Sequence, residues 1–148
     1  MNQYARKKVG FTGTRDGLTY EQKRSLRRLL VDLEPTSFSF GDCIGADHQA
    51  ANIVAELDNC LMVRHPPNSP RERAFCDNFD EDRPKKQYHA RNRDIVDEND
   101  LLVACPKGFE PVAGSGSWWT IEYARSRGKP VFIVYSDGKV EKPKEVGV

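Results

Sequence analysis

At 148 residues, with 38% hydrophobic and 30% charged side chains, the chain is long enough for one sizeable core and has the make-up of a well-solvated globule. A formal net charge of +1 gives no general pull toward nucleic acid or an anionic membrane surface. No stretch approaches the roughly 18 apolar residues of a membrane span, and "MNQYARKKVGF" lacks an apolar run of signal-peptide length, so a cytoplasmic protein is expected.

"KKVGFTG" is a short apolar run stopped by glycine, which predicts a strand at about 7–12. A helix follows, with Leu26, Leu29, Leu30 and Leu33 at helical spacing, a capping box from Thr19 and Gln22, and a stop at Pro35. "TSFSFG" reads as the second strand and "GADHQAANIVAELD" as the second helix, with Ala50, Ile53, Val54 and Leu57 on one face. "CLMVRHP" is the third strand. Residues 66–84, with four prolines and alternating charges, predict a surface excursion. A helix at about 85–98 leads into the strand "DLLVACP", then a long loop, the helix opened by "GSGSWWTIEYA", and a fifth strand in "KPVFIVYS". The tail 137–148 is polar, with at most a short strand of its own.

Strands alternating with helices predict an α/β, Rossmann-like, doubly wound and mainly parallel sheet of about five strands, helices on both faces, in a single domain over 1–148. In such folds ligands bind beyond the carboxyl ends of the strands, where the strand order reverses.

Three glycine-bearing turns fall at that rim. Strand one ends in Thr12, Gly13, Thr14 and Arg15, which offer backbone N–H groups, hydroxyls and a guanidinium to a phosphate or carboxylate. Strand two ends in Gly41, Asp42, Cys43, Gly45, Ala46 and Asp47, a small-residue turn into a helix N-terminus. Asp47 suits either a favourable charge at the helix start or a grip on a ribose hydroxyl. Strand four ends at Pro106, and the chain returns through Gly114, Ser115, Gly116 and Ser117. One such turn is weak evidence; three at one edge point to a phosphate-bearing ligand.

Arg91 and Asn92, with Arg93, lie near the start of the helix before strand four; a solvated helix face is the plain alternative for that run. One of Trp118 and Trp119 is expected to pack inward and the other to stack on a ligand, and Trp118 is carried among the site residues. The four cysteines lie far apart without C-x-x-C spacing, so reduced, mostly buried thiols and no metal site are expected. His48, His65 and His89 receive no catalytic role.

Together "VGFTGTRDG", "FGDCIGADHQAA", "VRHPP", "ARNRDIVDENDLLVACP" and "GSGSWWTIEYARSRGKPVFIV" resemble, in this order, the SLOG superfamily, specifically its small bacterial and phage members of the YspA-like (DUF2493-type) kind. The resemblance implies glycine loops that bind nucleotides or nucleotide-derived molecules. The superfamily includes the Lonely Guy phosphoribohydrolases and a sensor domain of the Thoeris anti-phage effector, which binds a cyclic ADP-ribose isomer; DNA-processing protein A has a related domain. The enzymes use an arginine in R-K-x-x-M and a glutamate in P-G-G-x-G-T-x-x-E. Their arginine falls on Arg91, with Asn92 in place of the lysine, and their glutamate falls on Thr120, after seven extra residues, Lys107–Ala113.

Threonine cannot carry the negative charge that an oxocarbenium-like species calls for. Glu122, two positions on and about 200° around a helix, should point away; Asp42 and Asp47 are the other candidates beside Arg91. The expectation is therefore a module that holds a nucleoside phosphate, NAD or an ADP-ribose-type signal as sensor or sequestering protein, with no cofactor required. The alternative is an N-glycosidase or phosphoribohydrolase acting on a nucleoside monophosphate. Nucleic acid is disfavoured by the near-neutral charge, and a homodimer would match the relatives.

Overall fold

The computed structural model describes residues 3–144. Its sheet is built from β1 (Lys8–Gly13), β2 (Ser37–Phe40), β3 (Leu61–Arg64), β4 (Glu81–Asp82), β5 (Leu101–Cys105), β6 (Val131–Val134) and β7 (Val140–Glu141). Four helices connect them: α1 (Tyr20–Leu33), α2 (Ala46–Ala55), α3 (Tyr88–Asp97) and α4 (Gly116–Ser126). The strand order is β4-β3-β2-β1-β5-β6-β7, and every neighbouring pair is parallel except β6 with β7. The five expected strands are all present. The two additional ones are two-residue edge strands, too short to show any periodicity in sequence; β4 falls in the excursion and β7 in the tail. Residues 145–148, the end of that tail, lie outside the described residues.

Successive side chains of a strand face opposite sides of the sheet, and β5 shows the consequence. Leu101, Val103 and Cys105 join Val9, Phe11, Phe38 and Phe40 in one core beneath α1 and α2, while Leu102 and Ala104 pack with Ile95, Val96, Trp118 and Ile121 beneath α3 and α4. Strands buried on both faces read as continuous apolar runs, as β5 and β6 do, whereas β2 is buried throughout but alternates serine with phenylalanine.

α1 starts where its capping box requires: the Gln22 N–H donates to Thr19 Oγ1 at 3.0 Å, and the Thr19 N–H donates to Gln22 Oε1 at 3.3 Å. It stops at Glu34, which takes a left-handed φ of 46° before Pro35. α3 lies very close over β1. A methyl group on Gly10 would sit 2.8 Å from the Ile95 carbonyl oxygen, so any larger residue there forces the helix backbone to shift.

Residues 66–84 are tied down from within. Asp42 is fully buried; its carboxylate accepts from Arg73 Nε at 2.9 Å and from the Cys76 N–H at 2.8 Å. Arg64 reaches Asp82 through two nitrogens at 2.9 and 2.7 Å and lies under the Phe79 ring. No helix among the described residues is long and apolar enough to cross a membrane.

Strand order reverses between β1 and β5, whose C-terminal residues Gly13 and Cys105 are in register. The Thr14 N–H continues the pairing by donating to the Cys105 carbonyl at 3.0 Å. Loops leaving these two strands must diverge, one above each face of the sheet, and the crevice they open is where ligands settle in such folds.

Candidate functional site

A cleft of about 840 Å³ occupies that crevice. It is large enough for a nucleotide-sized molecule. Its walls come from the three expected turns and from α3: Thr12, Gly13, Thr14 and Arg15 after β1, Cys43 and Asp47 after β2, Arg91 and Asn92 on α3, and Gly114 to Trp118 at the start of α4.

Six of the sequence-derived candidates stand elsewhere. Gly41 lies behind the cleft: a methyl group there would overlap Arg91 Nη1 and come within 2.7 Å of Asp47 Oδ2. Its bareness lets the guanidinium rest against the backbone. Asp42 faces the excursion, through Arg73 and Cys76. Gly45, at φ +89°, packs on the backbone of Arg15, and Ala46 donates its N–H to the Thr14 carbonyl at 3.0 Å. Both residues hold two rim loops together. Pro106 is buried and gives its carbonyl to Gln22 Nε2 at 3.2 Å. Glu122 is exposed on the outer face of α4, 3.8 Å from Arg125, where the helical angle puts it.

The floor of the cleft is electrostatically unusual. Arg91 is only 4% exposed, and its Nε has no hydrogen-bond partner. Its Nη2 donates to Cys43 Sγ at 3.3 Å, and its Nη1 stands 3.9 Å from Asp47 Oδ2, beyond hydrogen-bonding distance. A guanidinium with five N–H donors is thus buried against one weak sulfur acceptor. Asp47 is little better served: its Oδ2 accepts the Cys43 N–H at 3.2 Å, and burial pushes its carboxyl up to about 6 despite the nearby Arg91 charge. Burial likewise pushes the Cys43 thiol up to about 12, so it stays protonated and is no nucleophile at neutral pH. The Trp118 ring is buried, and its Nε1 makes no hydrogen bond. The unpaired Arg91 Nε is a donor, which suits a ligand rich in acceptor oxygens.

At the mouth, by contrast, charges are paired. Arg15 Nη1 meets Glu72 at 3.0 Å, and Lys107 Nζ meets Asp16 at 2.8 Å. Two helices also start at the cleft with no acidic residue in the first turn, α3 at Tyr88 and α4 at Gly116. Ser115 caps α4 by accepting the Trp118 N–H at 3.3 Å, which leaves the first N–H groups of that turn without an intrahelical acceptor.

Thr120, on which the sequence resemblance places the Lonely Guy glutamate, is buried inside α4, and its hydroxyl donates to the Gly116 carbonyl at 2.8 Å. Trp119 stacks on His89 at 4.3 Å and lies parallel to Tyr123. So Trp118 is the tryptophan that packs inward, yet it also reaches the cleft wall.

Several lining residues had no signal in the sequence reading. Glu72 comes from the excursion; Lys107, Gly108 and Val112 come from the loop that resembled a mere insertion; Tyr88 and His89 open α3, and Asp16 follows Arg15. Their contribution depends on loop paths, which spacing does not reveal. Tyr88 alone could have been suspected, as a large aromatic in the first turn of a helix aimed at the rim. Among the described residues no group of three or more His, Cys, Asp or Glu side chains is placed to hold a metal ion.

No family model matches the chain, and no curated protein matches it by sequence. Solved structures do share its fold. A molybdenum cofactor binding protein from Rippkaea orientalis superposes with a TM-score of 0.66 at 19% identity, over 87% of this chain and 76% of that one. The protein TM1055 gives 0.60 at 18% identity, over 84% and 72%. DNA processing protein A from Streptococcus pneumoniae gives 0.63 at 20% identity, over 85% of this chain but 49% of the larger protein. The chain has the Rossmann-like α/β fold of these proteins.

Proposed function

We propose that this chain is a SLOG-type binding module that holds a nucleotide-derived small molecule in the cleft. The ligand is a nucleoside phosphate or a compound of the NAD or ADP-ribose type, kept as a sensed or sequestered signal without turnover. The observation that carries the reading is Arg91: a buried guanidinium on the cleft floor whose Nε has no partner. Leaving such donors unpaired is costly, and a phosphate oxygen is the partner that satisfies several at once. The free N–H groups at the start of α4 and the unpaired Trp118 Nε1 support the same ligand chemistry. A fold neighbour named for the cofactor it binds is in keeping with a small-molecule site.

Calorimetric titration with AMP, NAD and ADP-ribose tests this. Binding of at least one should weaken by about 1–3 kcal/mol in Arg91→Ala, the range for a charge-assisted contact. Equal affinity in the variant removes Arg91 from the site and the reading with it.

A second reading is hydrolysis of an N-glycosidic bond, favoured by one observation. Of the candidate carboxylates Asp42, Asp47 and Glu122, only Asp47 faces the cleft, and its raised pKa is one a proton-transfer group needs near neutrality. Chromatography of AMP, NAD and ADP-ribose after incubation should show no base release. Release abolished by Asp47→Asn would replace the binding reading with this one.

A further inference from the structure

Arg91 lines the cleft and yet is almost wholly covered, so something stands between it and an incoming anion. Gly41, Cys43 and Asp47 enclose it from the side of the sheet. From the side of the cleft the covering group is Tyr88. Its ring lies 5.2 Å from the Arg91 guanidinium carbon and 5.4 Å from that of Arg15, within cation–π range of both.

The same side chain reaches across to α4. A methyl group built on Gly116 would coincide with the Tyr88 hydroxyl and lie 2.5 Å from Cζ. The phenol oxygen therefore rests on the first turn of α4, the place where unpaired N–H groups attract an acceptor. One tyrosine thus occupies both places that an anion would use, the cover over Arg91 and the start of α4. Glycine at 116 is what makes room for it.

We propose that Tyr88 is an intramolecular occupant of the anion site, which a ligand must displace to reach Arg91; this rests on the binding reading above. The phenol acts as a weak stand-in. It sets an uncharged oxygen against Gly116 at the start of α4 and a π face against two cations. A phosphorylated ligand outcompetes it by supplying a full anion and further contacts along the cleft wall. A small anion such as inorganic phosphate must meet the same displacement cost with fewer contacts, so Tyr88 keeps the site from filling with it. Tyr88 is half-buried, and besides these contacts its ring meets the edge of His89 at 5.5 Å. Its swing disturbs no core packing.

The test compares binding of AMP and of inorganic phosphate to the wild-type chain, Tyr88→Ala and Tyr88→Phe, with circular dichroism to confirm folding. Tyr88→Ala should bind both anions about tenfold more tightly, the loss of cation–π cover over Arg91 being the dominant gain. Tyr88→Phe keeps the ring over Arg91 and should gain less. In wild-type protein carrying ¹³C-labelled tyrosine, AMP should shift the Tyr88 ring resonance out of its guanidinium-bracketed environment. A Tyr88→Ala variant that binds AMP equally or more weakly, while Arg91→Ala still loses it, overturns the proposal and leaves the binding reading intact. Folded wild-type and Tyr88→Ala proteins that both fail to bind AMP, NAD, ADP-ribose and phosphate overturn the two together.

Discussion

Asp47→Asn should make the protein more stable at neutral pH, the reverse of what loss of a buried ion-pair partner usually does. Removing one member of a buried, hydrogen-bonded pair commonly costs about 3–5 kcal/mol, because the other charge is left alone. Here the pair is poor. Asp47 Oδ2 stands 3.9 Å from Arg91 Nη1, and the carboxylate has one backbone N–H at 3.2 Å to offset its burial. Burial therefore outweighs the neighbouring charge and lifts the carboxyl to about 6, against about 3.9 in an unfolded chain. A folded pKa above the unfolded one means stability that is complete below about pH 3.9 and is lost as pH rises through about 6. Two pH units at about 1.4 kcal/mol each make the loss about 3 kcal/mol at pH 7.5. Asparagine keeps the acceptor for the Cys43 N–H and does not ionise, so it avoids that loss. Urea melts should show the variant and the wild type alike at pH 4 and diverging through pH 6. At pH 7.5 the variant's midpoint should be higher by roughly 1–2 M, for a slope of about 2 kcal/mol per molar. A variant less stable by more than about 1 kcal/mol at pH 7.5 would show that the Arg91–Asp47 attraction wins and refute the reasoning.

His65 is buried beside Glu98, its Nε2 unpaired, and burial lowers its pKa to about 4. A depressed folded pKa contributes stability above the unfolded value near 6.5, lost as pH falls toward 4. In an Asp47→Asn background, His65→Gln should flatten a loss of about 3 kcal/mol over that window in pH-dependent melts. The two titrations oppose each other in the wild-type chain, so each shows cleanly only when the other group has been replaced. Asp42→Ala should destabilise by about 3–5 kcal/mol, since it strands Arg73, and should open residues 66–84 to protease before the rest of the chain unfolds; resistance equal to wild type would contradict the tether. Gly10→Ala, which drives a methyl group into the Ile95 carbonyl, should cost about 1–3 kcal/mol in denaturant melts.

The sheet was legible because its evidence is local. β5 is apolar on both faces, and α1 announces itself by Thr19, Gln22, the leucine spacing and Pro35. The rim was legible for the same reason: glycine turns following apolar strands put Thr14, Cys43, Asp47 and Ser115 at one edge, and the cleft contains them all. What spacing does not reveal is direction. Asp42 and Asp47 lie five positions apart in one glycine-rich stretch, yet one turns to Arg73 behind the rim and the other to Arg91 beneath the cleft. Glu72 and Val112 reach the cleft from segments whose paths are set by tertiary contacts. Tyr88 could be suspected at the rim, but its contact with the bare Gly116, 28 positions away, could not be read from spacing.

The distribution of charge separates holding from cutting. A site that cleaves an N-glycosidic bond needs a carboxylate free to meet developing positive charge at the sugar. The mouth carboxylates Glu72 and Asp16 are engaged by Arg15 and Lys107, and Thr120 spends its hydroxyl on the α4 backbone. Only Asp47 remains, and an ionised Asp47 shares its space with the very guanidinium that an anionic ligand would claim. Anion binding beside it raises its affinity for a proton further, which favours the neutral acid just when a negative charge would be required. Protonation of that carboxyl frees Arg91 for the ligand. On the proposed binding reading, an anion in the cleft would gain hold on Arg91 at the expense of the charge on Asp47.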